Sequence, residues 1–224
     1  MVKQKKLTVD TISALSAAIL AYRYNGQKIL RHNNITNSHL ESGQLSNTQL
    51  ICDSIITGLD MTDSLRDEAE NIRGSLNQRV FMDTLSGAKI NEFLLEINSM
   101  LQQDTITSDR FGILAWAPKL YNDIVKSDES REAILEFSGV SDYIGKESKK
   151  ITINFEVLSC RYLKNYDSFV HTGHDGAGNL VTFWKNKRIE SGAITARVKS
   201  HKKNERYSNA KTTVLNYVKA VNEK

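Results

Sequence analysis

The hydrophobic period changes near Gly139, and a chain whose period switches from helix to strand cannot be read as one uniform architecture. Before that point apolar residues recur every three or four positions. Leu50, Ile51, Ile55 and Leu59 mark a helix over 48–59, which Gly58 and Asp60 interrupt. Leu65, Ala69, Ile72, Leu76 and Val80 form the stripe of a long helix over 62–85, opened by Thr62 or Asp63. Ile90, Phe93, Leu94, Ile97 and Leu101 repeat the pattern over 88–101. A further helix is expected over 108–125, kinked or divided by Pro118, and a short last one over 130–137. The polar, Asn- and Ser-rich run 33–43 reads as a loop.

After Gly139 comes a connector, 139–150, and then alternation. Ile151, Ile153, Phe155 and Val157 interleave with Thr152, Asn154 and Glu156, the period of a half-buried strand. Further strands are expected over 168–172, 180–185, 193–199 and 212–221. Asp175-Gly176-Ala177-Gly178-Asn179 and Glu190-Ser191-Gly192 supply turns, and 202–211 a basic loop. Five short strands joined by tight turns predict a small β-barrel. The fold class is therefore α+β: a helical domain over 1–145, then a five-stranded antiparallel barrel over 146–224.

Composition narrows the classes. With 40% apolar and 25% charged residues the chain is neither collagenous nor disordered throughout. Cys52 and Cys160 are the only cysteines, which is no disulfide framework and fits a reducing compartment. Lys3, Lys5 and Lys6 precede a semi-apolar stretch, but Asp10, Thr11, Ser13 and Ser16 interrupt it, so it reads as an amphipathic helix and not a secretory leader. No run approaches the ~20 apolar residues of a membrane span. The expectation is a soluble, cytoplasmic protein, in the host cytoplasm if viral.

The formal net charge of +4 conceals a division. Residues 1–150 hold 17 Lys+Arg against 20 Asp+Glu, net −3, and residues 151–224 hold 13 against 6, net +7. Of the 17 aromatic residues, 8 lie in that basic part. Cations that follow a phosphate backbone and aromatic faces that stack on unpaired bases are what single-strand binding needs. Alternation puts Arg197, Lys199 and His201 on one face as a basic stripe. Lys202, Lys203, Arg206, Tyr207 and Lys211 follow in the loop, and Lys185, Lys187 and Arg188 close the third strand. Tyr162, Lys164 and Tyr166 belong to the first hairpin, with Phe169 beyond it. Phe183 and Trp184 must point to opposite faces, so only one is core, and Trp184 is the candidate platform. The same residue types also serve as solvated loops and cross-strand packing.

The run GHDGAGNLVTFWKNKRIESGAITARVKSHKKNERYSNAKTTVLNYVKAV carries a resemblance. It joins an aromatic strand after a Gly-Asn turn, a Ser-Gly turn, a strand ending Val198-Lys199-Ser200-His201, a basic loop and a Thr-x-Leu-x-x-Val-Lys strand. The region 151–221 thus resembles an OB-fold domain, in particular the single-strand-binding-like modules of bacteriophage replication proteins. It departs from many OB-folds in one respect, because 186–192 is too short for a helix between the third and fourth strands.

Other chemistry finds little support. His171 and His174 fall on opposite strand faces, with Cys160 the only nearby thiol, which is no zinc set. Gly139 to Gly145-Lys146 has five residues between its glycines and Glu147 where Ser or Thr should hold magnesium, so it is no P-loop. Gly176-x-Gly178 lacks the third glycine and the helix of a dinucleotide site. Asp60, Asp63, Asp67, Glu68 and Glu70 read as an exposed helix face. The expectation is a protein without cofactor, metal or catalytic residues that binds single-stranded nucleic acid, DNA before RNA, in phage or plasmid replication or recombination. The helical part would self-associate or dock replication or transcription proteins. The rivals are a barrel that grips protein, as a virion component or host-enzyme inhibitor, and an enzyme of nucleic-acid metabolism sited in the helices.

Overall fold

The structure, a computed structural model, describes residues 6–36, 39, 43–58 and 62–221. Lys3, Lys5, Leu59, Asp60 and part of the expected loop 33–43 lie outside the described residues. The chain divides into two compact units, Met1–Val125 and Lys126–Lys224.

In the first unit, strand β1 (Thr8–Asp10) pairs antiparallel with β2 (Thr105–Thr107). Helix α1 (Thr11–Tyr24) starts where the Asp10 carboxylate accepts from the Ser13 amide at 2.8 Å. Its buried Ala14, Ala17, Ala18 and Ala21 admit the close approach of α2 (Asn47–Thr57) and α3 (Asp63–Leu85). Thr62 caps α3, and Leu65, Ala69, Ile72 and Leu76 of the expected stripe are buried. Each fully buried Leu or Ile contributes about 1.5–3 kcal/mol. Helix α4 (Glu92–Leu101), capped by Asn91, packs on α3. Of the acidic cluster, Asp63, Asp67 and Glu70 are exposed, while Glu68 pairs with Arg23.

A short helix α5 (Phe111–Leu114) precedes α6 (Ala117–Glu136), which runs unbroken through the two helices expected there. Pro118 sits in its first turn, where the missing amide proton has no intrahelical partner to lose. The division between the units falls within α6, ahead of the change of period near Gly139 and of the domain boundary read at 145. The reason is packing: Ile134 and Phe137 belong to a cluster with Leu158, Leu180, Tyr207 and Ala210.

In the second unit, β3 (Lys150–Leu163), β4 (Ser168–His174), β5 (Leu180–Lys185), β6 (Gly192–Asn204) and β7 (Ala210–Ala220) form a closed barrel. Their spatial order is β3-β4-β5-β7-β6, with β6 returning to β3. The barrel is mixed and not wholly antiparallel. Because β6 occupies the far side, β7 closes the gap beside β5, and those two run parallel. The third strand beside the fifth is the OB-like arrangement.

Alternate residues Phe155, Val181, Phe183, Ile194, Ala196, Val198 and Leu215 fill the interior. Ile189, from the β5–β6 loop, joins this core, held by its amide donating to His171 Nε2 at 2.9 Å. The closure that a helix after the third strand would give comes instead from the segment before the barrel. There the Leu180 amide donates to Ser141 Oγ at 2.8 Å, and that hydroxyl donates to the Lys211 carbonyl at 2.6 Å. Ser141 thereby links β5 to β7 at the start of the parallel ladder. Strand β3 runs on to Leu163, and β6 and β7 extend into the expected basic loop, so that 202–204 and 210–211 are strand and a 3-10 turn at Glu205–Tyr207 lies between them.

Candidate nucleic-acid interface

Register decides which side chains share the barrel's outer surface. Across β3, β4 and β5 the outward rows are Arg161–Val170–Trp184 and Ser159–Thr172–Thr182. A bulge between Val157 and Ser159 sets this phase on β3. The bend is admitted at Gly173, where a Cβ would lie 2.0 Å from the Glu156 carbonyl oxygen. On the other side Thr182 neighbours Val214 of β7, which pairs with Ser200 of β6, and Thr212 pairs with Lys202.

Phe183 is fully buried, stacked on His171 at 4.7 Å, and Trp184 is 50% exposed on the outer face. Trp184 stands over an open groove of about 380 Å³. Thr182, Thr212 and Val214 line it, with Lys202, Lys203 and Arg206 as its cations and Glu205 at one end. Beyond Trp184 the β3–β4 hairpin forms a second hollow bearing Arg161, Tyr162, Lys164 and Tyr166. Tyr166 is 77% exposed. The Tyr162 hydroxyl donates to Asp167 at 2.6 Å, which holds the phenol above its ordinary pKa, and its ring packs against Phe169 at 5.1 Å. The hairpins β3–β4 and β6–β7 thus flank the β4–β5 face, the surface OB-folds use for oligonucleotides and oligosaccharides.

Expected residues that gather here are Lys164, Tyr166, Trp184, Lys202, Lys203 and Arg206, while Tyr162 lines the hairpin hollow from the row it shares with Phe169 and Lys185, one residue out of phase with Arg161. Others are placed elsewhere. The stripe Arg197–Lys199–His201 is broken, because a register shift between Val198 and Ser200 leaves Lys199 as an extra residue and reverses the phase after it. His201 stacks on Tyr143 at 4.6 Å, and its Nε2 lies 3.2 Å from the Ile144 carbonyl. Arg197 lies over the Tyr217 ring, beside β3. Lys211 is engaged by Asp142 at 2.9 Å, and that hydrogen bond holds the Asp142 carboxyl below its usual pKa. Tyr207 is half-buried in the cluster with Ile134 and Leu180. Arg188 pairs with Glu190 at 3.1 Å, Lys187 is exposed in the β5–β6 loop, and Lys185 ends β5 opposite Phe169.

Arg161, Val170, Thr182 and Val214 were not among the expected site residues. Their signal is present only as positions two apart from Trp184 or across a ladder from it, which requires the register. His171 is buried inside the barrel, and burial pushes its pKa down. His174 points outward, stacked on Phe137 at 4.2 Å with Glu156 at 3.5 Å. Among the described residues no group of three His, Cys, Asp or Glu side chains could hold a metal ion. Among them, too, no helix is long and apolar enough to cross a membrane. The chain matches no protein-family model, no curated protein and no solved structure.

Proposed function

We propose that the barrel binds single-stranded nucleic acid on its β4–β5 face, by phosphate electrostatics and base stacking, without chemistry. The observation that carries this reading is Trp184: a large, half-exposed ring lining an open groove with Lys202, Lys203 and Arg206, in one outward row with Arg161. A core tryptophan would be covered, whereas a stacking platform must present one face to solvent with cations within reach of the backbone. The exposed Tyr166 extends the platform toward the β3–β4 hairpin. Such a module suits replication or recombination of a phage or plasmid genome, in the cytoplasm. The helical unit would then provide self-association or docking to replication and transcription proteins.

The test is titration of fluorescein-labelled oligothymidylate and oligouridylate of about 10 nucleotides, a length within one OB domain's footprint. Trp184→Ala should weaken the preferred strand by about 5- to 150-fold, the equivalent of ~1–3 kcal/mol of stacking. A correctly folded variant that binds as the wild type does would refute the assignment of this face. Tighter thymidylate binding selects DNA, and the reverse order selects RNA.

A further inference from the structure

Tyr217 has a backbone that tyrosine disfavours. It lies within β7 yet adopts φ +53°. The register explains where. Thr195 pairs with Lys219 and Arg197 with Asn216, so β7 places Tyr217 and Val218 opposite the single residue Ala196. That is a β-bulge whose first residue is left-handed, the position that glycine fills most easily. A bulge re-aims the side chain it carries, and here it puts Tyr217 into solvent at 75% exposure. The Arg197 guanidinium carbon lies 5.6 Å from the ring centroid. Lys150 pairs with Arg197 across the β3–β6 ladder, and Lys219 lies opposite Thr195. Among the described residues, the outward positions Lys150, Thr152, Thr195, Arg197 and Lys219 include no acid.

We propose that this β3–β6–β7 face, with Tyr217 and Arg197 at its centre, is a second stacking-and-phosphate site for the same single strand. It rests on reading the barrel as a single-strand binder. An exposed aromatic retained in a strained conformation, beside Lys150, Arg197 and Lys219 with no acid among the described residues of those outward positions, fits an unpaired base with its phosphates. Strand β6 connects the two faces. It pairs with β3 at Arg197 and with β7 at Lys202, and the exposed, bulged Lys199 lies between. Five residues of strand span about 17 Å, a short run for a single-stranded backbone. A strand longer than the Trp184 groove holds would therefore follow β6 from one face to the other.

The experiment compares oligothymidylates of about 8 and about 24 nucleotides on the full chain, since one OB domain covers about 4–16. Two variants are used, Tyr217→Gly and Arg197→Glu, with Trp184→Ala alongside. Glycine relieves the left-handed strain, so Tyr217→Gly should raise the barrel's melting midpoint while removing the ring. The expected result is that Tyr217→Gly and Arg197→Glu weaken the long strand by about 5-fold or more and leave the short one unchanged. Trp184→Ala should weaken both. Long-strand binding by Tyr217→Gly equal to wild type would overturn the second site while leaving the first intact. Polyglutamate competing as well as oligothymidylate would overturn it too. If Trp184→Ala has no effect but Tyr217→Gly weakens the long strand, the groove reading fails and this site stands. If no variant and no wild-type chain binds either length, both fall.

Discussion

Gly173 is the position where a single methyl group most directly tests how the barrel presents the β4–β5 face proposed to bind the strand. A Cβ there would lie 2.0 Å from the Glu156 carbonyl oxygen, 2.6 Å from a Phe155 ring carbon and 2.9 Å from the Glu156 carbonyl carbon. The two nearest are the backbone of β3 and a fully buried ring, neither of which can turn aside cheaply. Gly173→Ala must therefore force β3 away from β4 beside the bulge that sets Arg161 outward. Overpacking of this kind costs about 1–3 kcal/mol, and loss of one or two ladder hydrogen bonds adds about 1 kcal/mol each. A total of about 2–5 kcal/mol lowers the melting midpoint of a unit this size by at least about 8 °C. Thermal melts followed by Trp184 emission, in a Trp116→Phe background so that the barrel alone reports, would measure it. The same variant should lose strand affinity at temperatures where it remains folded. A Gly173→Ala midpoint equal to that of the parent would refute the close approach and, with it, the curvature assigned to β3.

Ser141→Ala removes an acceptor for the Leu180 amide and a donor to the Lys211 carbonyl, both where β5 meets β7. Leaving the buried Leu180 amide unpaired, and removing the donor to the part-buried Lys211 carbonyl, should destabilise the barrel by about 1–3 kcal/mol in urea unfolding, and a change below about 0.5 kcal/mol would contradict the tether. His171 carries a depressed pKa, first from burial and then from the charges of Arg188 and Lys185, so the fold holds it neutral. The unfolded chain takes up a proton near pH 6.5 that the fold resists, so this contribution is complete above that pH and is lost as the pH falls below it. His171→Gln should flatten the fall in barrel stability between about pH 6.5 and pH 5, and an unchanged fall would place the sensitivity elsewhere.

Alternation alone was enough to assign the interior Ile151, Ile153 and Phe155 and to split Phe183 from Trp184, because these residues precede or avoid the bulges. It failed where an extra residue shifts the phase. The extra residue Lys199 separates His201 from Arg197, and the bulge at 217 re-aims a tyrosine whose local sequence reads as ordinary strand. The parallel β5–β7 ladder is likewise a property of strand order and leaves no local mark. The stretch 186–192 is legibly too short for a helix between the third and fourth strands, but nothing local shows that Ile134 of α6 and Ser141 pack against the barrel from the N-terminal side. In the first unit the stripe of α3 was legible residue by residue, since a long amphipathic helix depends on period alone. Pro118 misled because a proline is disruptive only beyond the first turn. At the candidate site, the residue types were legible and their grouping was not: Arg161 and Val214 reach Trp184 only through the ladders.

The central claim is that cations around the Trp184 groove capture a phosphate backbone, and its most direct measurement is strand affinity across a salt series. Arg161, Lys164, Lys202, Lys203 and Arg206 flank the groove and its neighbouring hollow. If those five each neutralise one phosphate, log affinity should fall against log salt with a slope of about −3.5. Arg161→Glu together with Lys202→Glu should flatten that slope by about 1.4 or more. A slope near zero, or no binding even at about 20 mM salt, would contradict the account.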